Sequence, residues 1–383
     1  VTAFESPGLG VYVHWPYCAR ICPYCDFNVY RARDRDAAPL VRAMLADLER
    51  WRGRTGPRRL ASLHFGGGTP SLMSPGDVAA MIEAADRLWG FESNAEIGLE
   101  ANPHERAGFA DLAAAGIERL SVGVQALDDA SLAALGRDHD AAGALEALEL
   151  ARRAAPRVSA DLIYARENQT LAGWEAELKR LLDLGLDHLS LYQLTIEPGT
   201  AFAKRRERGG LVPPADDLAA AMFETAQTMS EAAGLAAYEI SNHARDEAHR
   251  SAHNRLYWTG GDWIGVGPGA HSRLGAHAAG GRLAAVAAAR PDDYVAGVDA
   301  GGGHAVETLD ALAEAQERAL AGLRIVEGLD RAALRAATGH DIDAGAAAGF
   351  AAEGLLALSE DRLALTAAGR LWADRIAFAV APG

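Results

Sequence analysis

All three cysteines of this 383-residue chain lie in one stretch, YCARICPYCDF at 17–27, as Cys18, Cys22 and Cys25. Thiolates so close together are metal ligands by type, and the candidates are zinc and an iron–sulfur cluster. Structural zinc wants four protein ligands. His14 is a nearby fourth, but it belongs to a strand-like run ending Val13-His14-Trp15-Pro16, which does not obviously aim its side chain at the loop. A [4Fe–4S] cubane held by three cysteines leaves one iron without a protein ligand, open to a substrate or cofactor, and the C-x3-C-x2-C spacing favours it. Three core cysteines adjacent by chance is the bland alternative, and the prolines at 16 and 23 in a loop argue against it. A second unusual stretch, Phe65-Gly66-Gly67-Gly68-Thr69-Pro70, is a weak signal alone. An ordinary tight βα turn is the bland alternative, although a turn seldom needs three glycines followed by Thr-Pro.

These loops need elements to hold them. Short β-branched runs alternate with helical patterns through the first half, which is the mark of repeated βα units around a parallel sheet. Strands are expected near 11–14, 60–65, 96–100, 119–124, 158–163 and 188–193. On the helix expected at 39–51, Leu40, Met44, Leu45 and Leu48 share one face, while Arg42, Asp47 and Glu49 point elsewhere. Six such units close into a partial (β/α)6 barrel. Chemistry in parallel sheets gathers at the carboxyl ends of strands, and the cysteine and glycine loops follow the first and second strands there. The expected domains are the barrel at 1–213, a helical and glycine-rich extension at 214–305, and a winged-helix-like, mainly helical domain at 306–383. Residues 275–303, rich in alanine and glycine, read as a loop or a plain helix with a linker.

Composition narrows the classes. An odd number of cysteines and no secretory leader at 1–10 point to the reducing cytosol. No stretch approaches the roughly 20 apolar residues that cross a bilayer, so no stable membrane insertion is expected. A net charge of −15 repels nucleic acid phosphates. Winged helices often bind DNA, but residues 308–383 hold seven Lys/Arg against eleven Asp/Glu, which favours packing against protein.

The cysteine stretch resembles the cluster loop of the radical S-adenosylmethionine (SAM) superfamily, in which the open iron chelates SAM. The glycine stretch resembles that superfamily's second signature. More narrowly, the chain is similar to the branch containing oxygen-independent coproporphyrinogen III dehydrogenase and the HemW-type haem chaperones. This resemblance implies Cys18, Cys22 and Cys25 on the cluster, with Tyr12, Tyr24, Gly67, Gly68, Thr69, Glu100, Gln125, Arg137 and Asp161 around SAM. His271, within Gly267-Pro268-Gly269-Ala270-His271-Ser272, is implied near the same pocket. Carboxylates and an amide at strand ends suit ribose hydroxyls or an ammonium, and an arginine suits a carboxylate.

Two departures separate the branch members. The dehydrogenases carry a further cysteine where this chain has Phe27, and they have a longer segment before the cluster loop than the eleven residues preceding Tyr12. Ala252-His253-Asn254-Arg255-Leu256-Tyr257-Trp258 resembles the chaperones' HNxxYW motif. The resemblance therefore implies a chaperone that binds haem through His253 and passes it to respiratory haem proteins. It also implies a cytoplasmic chain that meets the inner membrane at most transiently through its acceptors, and it is compatible with a homodimer. The competing expectation is oxidative decarboxylation of coproporphyrinogen III. Ala165-Arg166-Glu167 stands where the family commonly shows Gly-Leu-Pro, so the loop after the fifth strand is expected to differ.

Overall fold

Apolar side chains at alternate positions of the early strands pack outward onto helices, and a polar set points the other way. The structure, a computed structural model, describes residues 8–33 and 36–383. The expectation about residues 1–7 lies outside the described residues. Six parallel strands run β1 (Leu9–Trp15), β2 (Leu60–Gly67), β3 (Phe91–Ala101), β4 (Arg119–Gln125), β5 (Arg157–Tyr164) and β6 (His188–Gln193). Each pairs with the one before it. Helices α1 (Ala38–Thr55), α2 (Pro75–Trp89), α3 (Ala141–Ala154) and α4 (Leu171–Leu182) belong to the crossovers, making the α/β partial barrel expected.

The inner face of this sheet is polar, unlike the near-continuous apolar strands of most parallel sheets. Tyr12 stacks over His64. The Ser121 hydroxyl donates to Asp161, and Ser159 pairs with His188 at 2.7 Å. Leu9, Val11, Val13 and Trp15, the alternate set on β1, are buried in the main apolar core. Period-two alternation thus assigns packing to one face and chemistry to the other.

Helix α1 departs from its expected pattern at one residue. Asp47 is buried, at 1% exposure, and accepts hydrogen bonds from Tyr294 Oη at 2.8 Å and His304 Nε2 at 2.7 Å. The carboxylate faces inward because partners some 250 residues away satisfy it, which helical periodicity cannot register.

The sheet also continues past residue 213. After α5 (Asp216–Ala232), strands β7 (Ala236–Ala237) and β8 (Asn242–Ala244) add antiparallel to β6. Following α6 (Ala252–Trp258), β9 (Asp262–Val266) joins the free side of β1 in parallel. Strands β10 (His271–Ala276), β11 (Gly281–Ala287) and β12 (His304–Leu309), with helix α7 (Pro291–Asp299) before the last, complete twelve strands in the order β12-β11-β10-β9-β1-β2-β3-β4-β5-β6-β8-β7. Residues 275–303 are therefore largely sheet and helix, not a loop or linker. Alanine is a poor strand former, and β11 is held by neighbours on both edges rather than by its own propensity.

The remaining chain forms α8 (Ala311–Gly322), β13 (Leu329–Asp330), α9 (Arg331–Thr338), α10 (Ala344–Ala352), β14 (Leu356–Leu358), β15 (Arg362–Leu365) and α11 (Ala373–Val380). Its three strands pair antiparallel in the order β13-β15-β14, giving the helices-plus-hairpin arrangement expected. This region has its own apolar cluster around Leu334, Leu363 and Ile376. Among the described residues, no helix is long and apolar enough to cross a membrane.

Candidate cofactor-binding site

The cysteine loop leaves the end of β1 and is tied at once to the glycine loop leaving β2. Gly68 N–H donates to the Trp15 carbonyl at 2.6 Å, and Thr69 N–H to the Tyr17 carbonyl at 2.9 Å. Gly67 has φ +104°, a conformation that favours glycine. A Cβ on Gly68 would lie 2.8 Å from Tyr17 O and 2.9 Å from Trp15 O. The close approach that Gly68 permits is thus first of all to the neighbouring strand exit. A turn with Cys25 N–H on Cys22 O, at 3.2 Å, then folds the thiols back over the same mouth.

A cavity of about 380 Å³ opens there. Eleven of the fourteen expected site residues line it: Cys18, Cys22, Tyr24, Cys25, Gly67, Gly68, Thr69, Glu100, Gln125, Arg137 and Asp161. Glu100, Gln125 and Asp161 come from β3, β4 and β5, so successive strands deliver one acceptor each. Glu100 accepts from Gly67 N–H at 3.3 Å and lies 3.5 Å from His64 Nε2. Arg137 donates to the Cys22 sulfur at 3.4 Å, and its other nitrogen reaches Asn102 Oδ1 at 3.1 Å and the Gly123 carbonyl at 3.2 Å. Gln125 adopts φ +66° where the β4–β5 register shifts, and its Oε1 is buried without a hydrogen-bond partner among the described residues. Positive φ at a non-glycine residue beside an orphaned acceptor marks local strain held in place by its surroundings.

Burial sets the protonation of this mouth. It pushes the Asp161 carboxyl up to about 6, against a hydrogen bond from Ser190 that favours the charged form. Burial likewise raises the Cys25 thiol to about 11 and lifts Cys18 despite its bond to Thr69. Metal binding would displace those protons. Among the described residues, no three His, Cys, Asp or Glu side chains converge as the ligands of a single ion. Three free thiols in one loop, Cys18, Cys22 and Cys25, are a donor set that fits a cubane with each thiolate on a different corner iron. Of the acceptors Glu100, Gln125 and Asp161, Gln125 Oε1 is buried without a partner among the described residues, which fits a ligand bearing a hydroxyl or ammonium group.

Three expected residues lie elsewhere. Tyr12 and His271 line a second cavity, of about 650 Å³, walled by β1, β9, β10, α6, α8 and α11. His253 lines neither. Its ring stacks on His64 at 4.2 Å and 15°, meets Tyr257 edge-on at 4.5 Å, and is 8% exposed. Burial, with His64 and Arg119 adding to it, holds this imidazole well below its usual range and so neutral. Helix α6 is seated by the buried Glu96, which accepts from Ser251 Oγ at 3.2 Å and pairs with Arg157 at 2.9 Å. Although burial opposes it, Arg119 and Arg157 keep that carboxylate ionised.

The departure at 165–167 has a structural counterpart. Ala165 takes φ +56°, and Arg166, 6% exposed, donates to the Ile163 carbonyl at 2.7 Å, the Gln125 carbonyl at 3.4 Å and Glu177 at 2.7 Å. Arg166 therefore braces the strained Gln125 from behind. Sequence reading also missed Asn102, which bridges Arg137 and Asp138, and Ser121, which holds Asp161. Ser121 stands two residues after Arg119 on an inward-facing run, so alternation could have found it; nothing local singled out Asn102.

Comparison with known proteins supplies the family. Residues 12–181 match the model of the radical SAM superfamily and 309–372 that of the HemN C-terminal domain. The heme chaperone HemW of Mycobacterium tuberculosis is 34% identical over 396 residues, covering 97% of this chain and 96% of that protein. Radical S-adenosyl methionine domain-containing protein 1, mitochondrial, of Bos taurus is 42% identical over 301 residues, 76% of this chain and 68% of its own length. Among solved structures, coproporphyrinogen III oxidase (HemN) from Escherichia coli superposes with a TM-score of 0.81 at 23% identity, covering 98% of this chain and 90% of that one. That likeness establishes a shared fold.

Proposed function

Because this chain belongs to the radical SAM superfamily, among its HemW-like proteins, we propose that it is a haem chaperone which binds a [4Fe–4S] cluster, SAM and haem and delivers the haem to respiratory haem proteins. One observation carries the cofactor part: eleven expected residues from six separate segments meet in one cavity. Cys18, Cys22 and Cys25 would hold the cluster, whose chemistry when bound is one-electron transfer and chelation of SAM at the open iron. Glu100, Gln125 and Asp161 would orient SAM by accepting its hydroxyl and ammonium hydrogens. Arg137, touching the Cys22 sulfur, places positive charge beside the thiolates and steadies them.

The chaperone reading is preferred to coproporphyrinogen decarboxylation because of Phe27. It is 61% exposed and lines the cofactor cavity at the position where the dehydrogenases carry their additional cysteine. A cytoplasmic location and respiratory acceptors belong to the same proposal. The test is transfer: haem-loaded protein is mixed with an apo-form respiratory haem protein, and the acceptor's spectrum and activity are followed. Recovery of acceptor activity supports delivery; haem that stays bound, or is released no faster than free haem reaches the acceptor, counts against it.

A further inference from the structure

Resting on the haem reading above, we infer that the second cavity is the tetrapyrrole site and that His271 supplies its axial nitrogen. A planar macrocycle with two carboxylate arms needs apolar walls, a ligand for its iron and cationic partners for the arms. The cavity of about 650 Å³ between the barrel and the carboxyl-terminal helices has each of these. Tyr257, Trp258, Trp263 and Phe378 line it, and Phe378 is 72% exposed, a large apolar ring without cover.

Charge agrees with this occupant. In a chain of net charge −15, four arginines and only two carboxylates line this cavity. Arg282 is buried and bonded to the Gly275 and Gly261 carbonyls, so it is structural. Arg324 is the better anion partner. Among the described residues its only ion pair is a long one, 3.6 Å to an Asp374 side chain that is 84% exposed, and its Nε is buried without a hydrogen-bond partner there. It lies 4.8 Å over the Trp258 ring. The Arg324 side chain, 29% exposed, can offer its guanidinium to a ligand that brings carboxylates.

The choice of histidine follows from access. His271, exposed at the start of β10, presents its ring to this cavity. His253 is sequestered behind Tyr257 and against His64 and Tyr12, so an iron reaching it would have to break these ring contacts. Tyr257 and Trp258 of the family-like motif then serve as wall, with His253 packed behind them.

The experiment is a haem titration of the full chain followed by Soret absorbance, on wild type, His271→Ala, His253→Ala and Arg324→Ala, with melting curves to verify folding. His271→Ala should lose the wild-type Soret position and bind at least tenfold more weakly, and imidazole in the buffer should restore the band. Arg324→Ala should weaken binding severalfold with the Soret position kept, and His253→Ala should retain it. A His271→Ala protein that binds haem like wild type overturns the site while leaving the haem reading intact. Wild type that shows no Soret change overturns the haem reading itself.

Discussion

The amide of Gly68 donates to the carbonyl of Trp15 across 2.6 Å, so the cysteine loop and the glycine loop share one anchor at the ends of β1 and β2. A methyl group there would meet two backbone oxygens within 3 Å. Neither oxygen can swing away as a side chain would. Gly68→Ala should therefore cost about 1–3 kcal/mol of stability and lower cluster retention and SAM affinity together, as read by melting temperature, iron content and calorimetry. A loss of SAM affinity alone, with stability unchanged, would mean that the glycine serves the cofactor and not the loop contact.

The three thiols should hold one cluster. Anaerobic reconstitution should give about four irons and matching sulfide per chain with a broad visible absorption, abolished in Cys22→Ser. Stoichiometric zinc without sulfide would replace the cluster by a mononuclear site.

Asp161 should make folding pH-dependent. Its folded-state value, about 6, lies above the 3.8 of an unperturbed aspartate, so the native state holds its proton more tightly. Its stabilising contribution is complete below about pH 4 and is lost as pH rises through 6. Asp161→Asn, which mimics the protonated form, should be more stable than wild type at pH 7 by on the order of 2 kcal/mol. The gap should vanish below pH 4. A denaturant melt at each pH decides it, and an equal gap at both would remove ionisation as the cause.

Arg166 braces the strained Gln125 and neutralises Glu177; their side chains are 7% and 8% exposed. Arg166→Ala should cost roughly 3–5 kcal/mol, because it leaves a buried carboxylate without its partner. Adding Glu177→Ala should recover part of that loss. SAM affinity should stay low in the double variant, since Gln125 has still lost its support. Full recovery of SAM binding would separate Arg166 from the site.

Much of this was readable before any coordinates. The strand expected at 188–193 is β6 without adjustment, and the others fall within their observed strands, because β-branched runs bounded by turn residues are a local signal. The cysteine and glycine loops were readable as well, since their chemistry lies in type and spacing. What stayed hidden depends on distant partners. Asp47 looked solvent-facing until Tyr294 and His304 reached it, and the alanines of β11 are strand only because β10 and β12 flank them. His253, read as an open ligand, is closed off by His64, a residue nearly 190 positions earlier.

Parallel assay of one anaerobically reconstituted preparation, for haem binding and for coproporphyrinogen III decarboxylation with excess SAM and reductant, weighs chaperone against enzyme most directly. The expected result is a stable Soret band at about one haem per chain, with no protoporphyrinogen detected by mass spectrometry. Protoporphyrinogen accumulating over many turnovers, with no haem retained, would contradict it and make the chain a decarboxylating enzyme.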